Sequence, residues 1–477
     1  MKENLLQTYS IQDNKIIFKD RVNLDVYIDS IKFNIDKTSL FKLAARKNKK
    51  RGFLFVSTVL GKHIPVSPNI SLLFGRLLAL VYSNCILKKE NLICDEIKYL
   101  TNEYGKLNVL ENSCNITNDK YLLINKRLGE LYKREVEDKI NIDEKTLFIG
   151  FAETATGLGH SVYENFTGKI SYIHTTRESL KDIDLSLDFQ EEHSHATEHF
   201  LFGDISNFEK IVLIDDEFTT GNTTLNFIKE IKKKFGIEKF TLLSILDWRT
   251  EKHLSNMHEF CIENSVDITF ESILKGTIEI TDDSNDIKEI IEEDKKHHIE
   301  FQDFQIEKIK ISHLNWNRIE VYNTDIDRKV NYLKNTGRFL LDIQKEDKDF
   351  FDYSVATIKK ILEEEKILNE RLLFLGTEEF IYIPMKIASY FDNAYFQSTT
   401  RSPIYQSNEL NYGVKNSIEF MNPYKKNIKN FLYNLKDNFY EGVILFFEKS
   451  LQEDDIKDLI SGLKGYGIKN IYIVDFE

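Results

Sequence analysis

The stretch Ile211–Thr224 reads IVLIDDEFTTGNTT. Its four apolar residues make a buried strand, and two carboxylates, Asp215 and Asp216, stand where that strand should end. A loop of small polar residues follows, and Thr224–Lys234 then has the pattern of a helix. In open α/β sheets, ligands sit beyond the carboxyl ends of the strands. Thr219, Thr220, Gly221, Asn222 and Thr223 offer hydroxyls, backbone N–H groups and the positive end of a helix dipole, which together suit a phosphate dianion. Gly221 lets the backbone approach the phosphate without a Cβ in the way. Two adjacent Asp repel each other unless they are neutralised or hydrogen-bonded, and sugar hydroxyls with a Mg²⁺-bound ligand do both. The chemistry is that of a phosphorylated sugar. No Lys follows the Gly, so this is not a Walker loop. The bland alternative is an ordinary polar turn at a strand end.

Other residues could share that chemistry. Leu147–Phe166 reads strand, loop, helix, and its loop carries Glu153, Thr154, Ala155, Thr156 and Gly157. An anion-holding loop and a plain helix start describe it equally well. Thr175-Thr176-Arg177-Glu178 follows the strand Ile170–His174, and a guanidinium there suits bidentate contact with phosphate or a surface salt bridge. His193, His195 and His199 lie in EEHSHATEHFLF. Protonated, they would face a departing anion; their HxHxxxH spacing also invites a metal site. The strand Phe240–Leu246 leads to Asp247-Trp248-Arg249, where Trp248 either stacks on a ring or fills the core. Lys62 and His63 close the basic segment Arg46–Pro68, which covers a ligand or forms a solvated face.

The run of four apolar residues, two acids, two variable residues and Thr-Thr-Gly-x-Thr resembles the 5-phosphoribosyl 1-pyrophosphate (PRPP) motif of type I phosphoribosyltransferases. The resemblance implies that Asp215 and Asp216 bind the ribose 2′- and 3′-hydroxyls and that Thr219–Thr223 wraps the 5′-phosphate. Glu217 falls where that family varies. Glu153–Gly157 would then be the pyrophosphate loop, Arg177 a pyrophosphate contact, and His193, His195 and His199 residues of a lid. Asp247-Trp248-Arg249 is similar to the leucine-aspartate-arginine strand end of orotate phosphoribosyltransferases, where the acceptor binds. Trp248 stands in the place of the Arg, which weighs against orotate itself. Lys62 and His63 would belong to the acceptor hood. Mg²⁺ would be the cofactor, held mainly by PRPP, with Asp215 and Asp216 near it.

These residues need elements to position them. From Thr146 onward, apolar β-type runs alternate with helical stretches, the signature of a parallel sheet with helices on both faces. The expected fold class is α/β, with a type I phosphoribosyltransferase core. The expected domains are a hood over 1–135, a core over 136–280, a charged linker over 281–300 and a C-terminal domain over 301–477. That last domain echoes the core. Leu372–Gly376 matches Leu147–Gly150, and Thr399-Thr400-Arg401 matches Thr175-Thr176-Arg177. Gly442–Glu448 matches Ile211–Glu217, placing Phe446 and Phe447 where Asp215 and Asp216 stand. A degenerate second copy follows, without a PRPP site of its own. Its ligand-facing edge should carry Glu378, Glu379, Thr400, Arg401 and Ser402, with Arg401 on an anionic group or in a salt bridge. The Thr400-Arg401-Ser402-Pro403 stretch resembles the TRSP domain that follows a phosphoribosyltransferase in bacterial tellurium-resistance and stress operons. That resemblance implies operon-encoded partner enzymes and a nucleoside-like product.

Composition bounds the rest. The 477 residues carry 64 basic and 77 acidic side chains, a net of −13, with both signs mixed along the chain. No basic face for nucleic acid or an anionic membrane is apparent. The most apolar run, Ile70–Tyr82, is short and interrupted by Arg76, so no membrane span is expected. Cys85, Cys94, Cys114 and Cys261 show no paired spacing and read as reduced thiols in a cytoplasmic protein. The expected activity is PRPP-dependent transfer to an acceptor the sequence does not identify, with a homodimer as a candidate assembly. A non-catalytic PRPP-binding regulator and a PRPP-making pyrophosphokinase are the alternatives.

Overall fold

A computed structural model describes the chain except residues 1–8, 13–14, 20–22, 48–51, 90–94, 111–117, 191–197, 281–304, 313–317, 343–346, 410, 426, 450, 452 and 477. The expected linker 281–300 therefore lies outside the described residues, as do His193, His195, Cys94 and Cys114. Among the described residues, no helix is long and apolar enough to cross a membrane.

The alternating runs resolve into two parallel-rich sheets, as the α/β reading requires. In the first, the strands Phe166–His174, Ile140–Gly150, Lys210–Phe218, Lys239–Asp247 and Asp267–Ile280 lie side by side in that order, all parallel. Their apolar runs are continuous because both faces are buried. Leu147, Ile149, Ile211 and Leu213 pack with Phe227 and Ile228 of the helix Asn222–Phe235 on one face. Phe148, Val212 and Ile214 pack with the helix Pro68–Cys85 and the helix Ala155–Tyr163 on the other.

The second sheet holds Ala394–Ser398, Leu372–Gly376, Gly442–Phe446, Asn470–Phe476 and Gln305–Ile311, also all parallel. The spatial order repeats that of the first sheet with one difference. The fifth place is filled by a strand that precedes the others in sequence, Gln305–Ile311, where the first sheet uses one that follows them, Asp267–Ile280.

The repetition extends to single hydrogen bonds. The N–H of Thr175 donates to the carbonyl of Gly150, and that of Thr399 to Gly376. Thr175 Oγ1 accepts from Ala152 N–H, and Thr399 Oγ1 from Glu378 N–H. These bonds make Gly150 and Gly376 equivalent, and Glu153 equivalent to Glu379. Leu213 pairs with Ile149 and Leu445 with Leu375, so Ile214 corresponds to Phe446. Asp215 then corresponds to Phe447 and Asp216 to Glu448. This corrects the expected alignment by one residue: one acid of the pair survives in the second copy. Set end to end, the two runs put Glu217 opposite Glu448, and nothing in the sequence fixes strand register, although a one-residue slip exchanges the faces of every side chain.

The segments before the two cores are exchanged between the sheets. The hairpin Phe41–Ala45 with Phe53–Ser57 buries Ala44 and Val56 among Ile404, Tyr412, Phe431 and Tyr433 of the second unit. The hairpin Arg318–Asn323 with Arg328–Leu333 buries Val321, Val330 and Tyr332 against Leu180 and Phe202 of the first. Gly61, at φ +71°, accepts from Ser398 N–H, and Gly337, at φ +89°, accepts from His174 N–H, each at 2.7 Å. Both turns need the left-handed backbone that glycine adopts at little cost. Leu341–Asp342 goes on to pair with Phe166–His174 at the edge of the first sheet. In this frame Lys62 and Arg338 are equivalent residues, each next after its glycine.

Candidate functional site

The strand Lys210–Phe218 carries Asp215 and Asp216 out of the first sheet, both half-buried. Asp215 Oδ1 accepts from the N–H of Asp216 at 2.9 Å. Gly221 follows at φ +81° and starts the helix Asn222–Phe235. The N–H of Asn222 donates to Thr220 Oγ1 at 3.4 Å, and the positive end of the helix faces the cleft. The cleft, ≈ 210 Å³, is lined by Asp215, Asp216 and the whole Thr219–Thr223 loop.

Opposite the carboxylates stand cations and one buried acid. Glu153, 6% exposed, lines the cleft with Thr154, Lys62, His63, Arg177 and His199. Lys62 Nζ is 3.3 Å and Arg177 Nη1 3.8 Å from Glu153 Oε2, and Thr400 Oγ1 donates to the same oxygen at 2.9 Å. Burial alone would raise the Glu153 pKa, but the charges of Lys62, Arg177 and Arg401, with the Thr400 bond, hold it below the usual carboxylate value. Glu153 Oε1 and Arg177 Nε are buried with no hydrogen-bond partner among the described residues. His63, 2% exposed, is kept well below its ordinary pKa by burial and by the charges of Lys62 and Arg46, so it is neutral. His199 stacks on Phe189, ring centroids 5.1 Å apart.

Several expected residues lie elsewhere. Trp248, 2% exposed, is in the core, stacked on Phe55 at 4.6 Å, because the hood hairpin closes over it. Arg249 does not line the cleft; it holds Asp247 through Nε at 2.7 Å and Nη2 at 2.6 Å and lies on the Phe270 ring. Ala155, Thr156 and Gly157 fall inside the helix Ala155–Tyr163, buried, and Thr156 and Gly157 face the second unit. Thr156 Oγ1 donates to the Glu379 carbonyl at 3.0 Å, and a Cβ on Gly157 would meet Ile381. Arg401 pairs with both oxygens of Glu378, within its own unit. Ser402, in contrast, does line the cleft. Arg46, whose Nη2 donates to Ser402 Oγ at 3.1 Å, joins it there. The sequence marks Arg46 only as one member of a basic cluster.

The equivalent corner of the second copy is filled. Arg338, 2% exposed, is 2.8 Å from Glu448 and 2.9 Å from Glu379. Lys449, 5% exposed, is 2.7 Å from Glu178. Glu178 also accepts from Asn323 Nδ2 at 2.8 Å and Tyr332 Oη at 2.6 Å. Its pKa lies far below the usual carboxylate value: burial would raise it, but Lys449 and Arg338 outweigh that. No sequence pattern announced this network, since its members lie up to 271 positions apart.

Residues 40–277 match a family model described as phosphoribosyl transferase. Residues 335–463 match one described as the TRSP domain C-terminal to that family. No curated protein matches the chain. Among solved structures, the adenine phosphoribosyltransferase of Trypanosoma brucei is 19% identical, with a TM-score of 0.23, over 30% of this chain and 65% of that one. The chain thus spans just under two thirds of that protein's length. The Leishmania donovani enzyme is 18% identical at a TM-score of 0.22, covering 35% and 68% of the two chains. The Giardia lamblia enzyme is 15% identical at 0.21, covering 35% and 83%.

Proposed function

We propose that this chain, built of a phosphoribosyl transferase domain followed by a TRSP domain, binds PRPP in the cleft and transfers its phosphoribosyl group to an acceptor. The observation that carries the reading is the Asp215-Asp216 strand end facing the same cleft as the Thr219–Thr223 loop and the helix start. The loop hydroxyls and N–H groups hold the 5′-phosphate, and the two carboxylates accept from the ribose 2′- and 3′-hydroxyls. Arg177 and Lys62, resting on Glu153, turn their charge to the pyrophosphate as it leaves. The C1–oxygen bond to pyrophosphate breaks and a bond from C1 to the acceptor nucleophile forms. Oxygen donors at the strand end fit Mg²⁺. When bound on PRPP, that ion supplies charge neutralisation on the leaving group. The hood hairpin, with Leu54 and Phe55 at the cleft, keeps water from competing with the acceptor.

The product, on this reading, is a nucleoside-like metabolite serving stress or tellurium resistance, made alongside operon-encoded enzymes in the cytoplasm. Incubation with PRPP, Mg²⁺ and a panel of acceptors, followed by pyrophosphate release, tests it. Release dependent on an acceptor is the expected result. PRPP binding without release under any acceptor would make the chain a regulator, and PRPP formation from ATP and ribose 5-phosphate would make it a pyrophosphokinase.

A further inference from the structure

The two halves share one plan, so a place where they differ shows what the open cleft has that the scaffold does not require. The spacing from Ser57 to Gly61 equals that from Leu333 to Gly337, and each glycine accepts from an equivalent strand end, Ser398 or His174. The residue after the glycine keeps its partner in both halves. Lys62 pairs with Glu153 at 3.3 Å, and Arg338 with Glu379 at 2.9 Å. The next residue does not match: it is His63 beside the open cleft and Phe339 in the filled corner. The two rings still have equivalent surroundings. Phe431 bridges to Thr400 as Phe200 does to Thr176, which makes Tyr433 the counterpart of Phe202. His63 lies on Tyr433, ring centroids 5.9 Å apart, and Phe339 packs in one cluster with Phe202.

A phenyl ring therefore meets the needs of packing at this place. The imidazole adds polar atoms that packing does not use. His63 lines the cleft, is 2% exposed, and its Nε2 has no hydrogen-bond partner among the described residues. A buried polar atom left unpaired lowers stability, and Phe would avoid that loss. The charge state of the ring is set as well. Burial and the charges of Lys62 and Arg46 keep it neutral, the form that can take a proton. Phe55 of the hood hairpin and Phe189 line the same cleft, so a flat ring finds apolar walls there.

We infer that His63 is the base of the transfer: it takes the proton from the acceptor's nucleophilic nitrogen as that nitrogen bonds to C1 of the ribose. The acceptor is then an N–H compound (an azole, a lactam or an amine), not a pyridine-type ring whose nitrogen has no hydrogen. The inference rests on the cleft being a PRPP site. The C1–oxygen bond breaks with its electron pair on pyrophosphate. The acceptor nitrogen supplies both electrons of the new bond and regains a pair from its N–H bond, whose proton goes to the imidazole and then to water. PRPP readies the base. In the empty cleft Lys62 and Arg46 oppose a charge on His63. A polyanion bound beside them offsets their charge, so the ring takes a proton more readily. Glu153, Asp215, Asp216 and Glu217 lie on the other elements lining the cleft, and their carboxylates favour the imidazolium once it forms.

The test is pyrophosphate release by the full chain from PRPP and Mg²⁺ with two sets of acceptors. Adenine, hypoxanthine, uracil, orotate and anthranilate attack through an N–H nitrogen; nicotinate, nicotinamide and quinolinate attack through a ring nitrogen without hydrogen. Release is expected with a member of the first set and with none of the second. His63→Phe installs the ring that the filled corner uses, so it should fold and still bind PRPP in calorimetry. Its turnover with that acceptor should fall at least about a hundredfold, the worth of a general base. His63→Gln keeps a hydrogen-bonding group that cannot take a proton and should be as slow. Release with a pyridine-type acceptor overturns the inference, and so does PRPP binding without release from any N–H acceptor. Wild-type turnover in a folded His63→Phe or His63→Gln variant overturns it too. PRPP titrated alone reports separately on the cleft: if it fails to bind, the proposed function is what fails.

Discussion

Thr176 donates to Glu379 across the two halves of the chain at 2.6 Å, the mirror of the bond that Thr400 makes to Glu153 at 2.9 Å. When residue i of one unit meets j of the other and j meets i, the units are related as in a two-fold dimer. A duplicated chain can build that arrangement within itself, and then the two halves are free to diverge. Here the first half kept both acids and an open cleft. The second kept Glu448 alone and closed around Arg338. The first half still needs the second, because Thr400 and Ser402 reach its site.

Asp215→Asn combined with Asp216→Asn should remove PRPP binding and leave the fold intact. Both side chains lie at a strand end and are half-buried, outside the apolar core. Two charge-assisted contacts to ribose hydroxyls are lost, so affinity should fall at least about a hundredfold. Calorimetry with circular dichroism checks it. Wild-type affinity in a folded double variant would falsify the assignment.

Arg338→Met should weaken the fold without touching the cleft. The guanidinium is 2% exposed and holds Glu448 and Glu379, so its loss leaves two buried carboxylates short of a cation. Breaking such a network costs about 3–5 kcal/mol. Urea denaturation should register that loss. A variant as stable as the wild type would mean that the carboxylates had taken up protons or found other partners.

Stability should fall on acidification before the pH reaches the ordinary carboxylate range. His174 is held at about 4 by burial and by the charge of Arg338. Between its unfolded value of 6.5 and about 4, the unfolded chain binds a proton that the folded chain does not, so acid favours unfolding. This one group accounts for roughly 3 kcal/mol. Glu379 acts in the same direction at lower pH. Burial would raise its pKa, but Arg338 brings it to about 2, and the stability this confers is lost as pH falls from 4.5 toward that value. Urea midpoints measured from pH 7.5 down to 4 should decline steadily, and a flat profile would rule out a buried neutral His174.

Much of the site could be read in the sequence because its parts are local. The strand, the two acids, the loop and the helix start fall within fourteen consecutive residues, and each has its own physical reason to be there. Thr175-Thr176-Arg177 and its echo at Thr399-Thr400-Arg401 were equally visible. What escaped is what depends on register and on distant pairing. Trp248 suits a ring-stacking site and a core alike; only the hood hairpin laid over it decides for the core. Arg249 looks like a ligand contact until Asp247, two positions away, is seen to hold it. Arg338 sits in an unremarkable run, and its role comes from a turn at Gly337 that delivers it between the two units. The exchange of the hood hairpins leaves no mark in composition or periodicity, because an apolar hairpin buries equally well against either sheet.

Thr400→Val and Thr176→Val remove the same hydroxyl from the two halves and should have different consequences. Thr400 Oγ1 is the hydrogen-bond donor that, with three cations nearby, keeps Glu153 ionised at the cleft. Without it the Glu153 pKa rises, the acidic limb of the pH–rate profile moves to higher pH, and Lys62 and Arg177 lose part of the charge that places them. Turnover should drop about tenfold or more, as for the loss of a hydrogen bond to a charged group. Thr400→Ser should restore both the rate and the limb. Thr176 Oγ1 donates to Glu379 in the closed half, beside Arg338. Thr176→Val should cost about 1–3 kcal/mol of stability, because a buried hydrogen bond to Glu379 is lost and the Glu178 N–H loses its acceptor, and should leave the pH–rate profile in place. The comparison separates positioning from simple packing. If both variants lower stability alike and neither moves the acidic limb, the two halves are equivalent scaffolding and Thr400 has no part in the cleft.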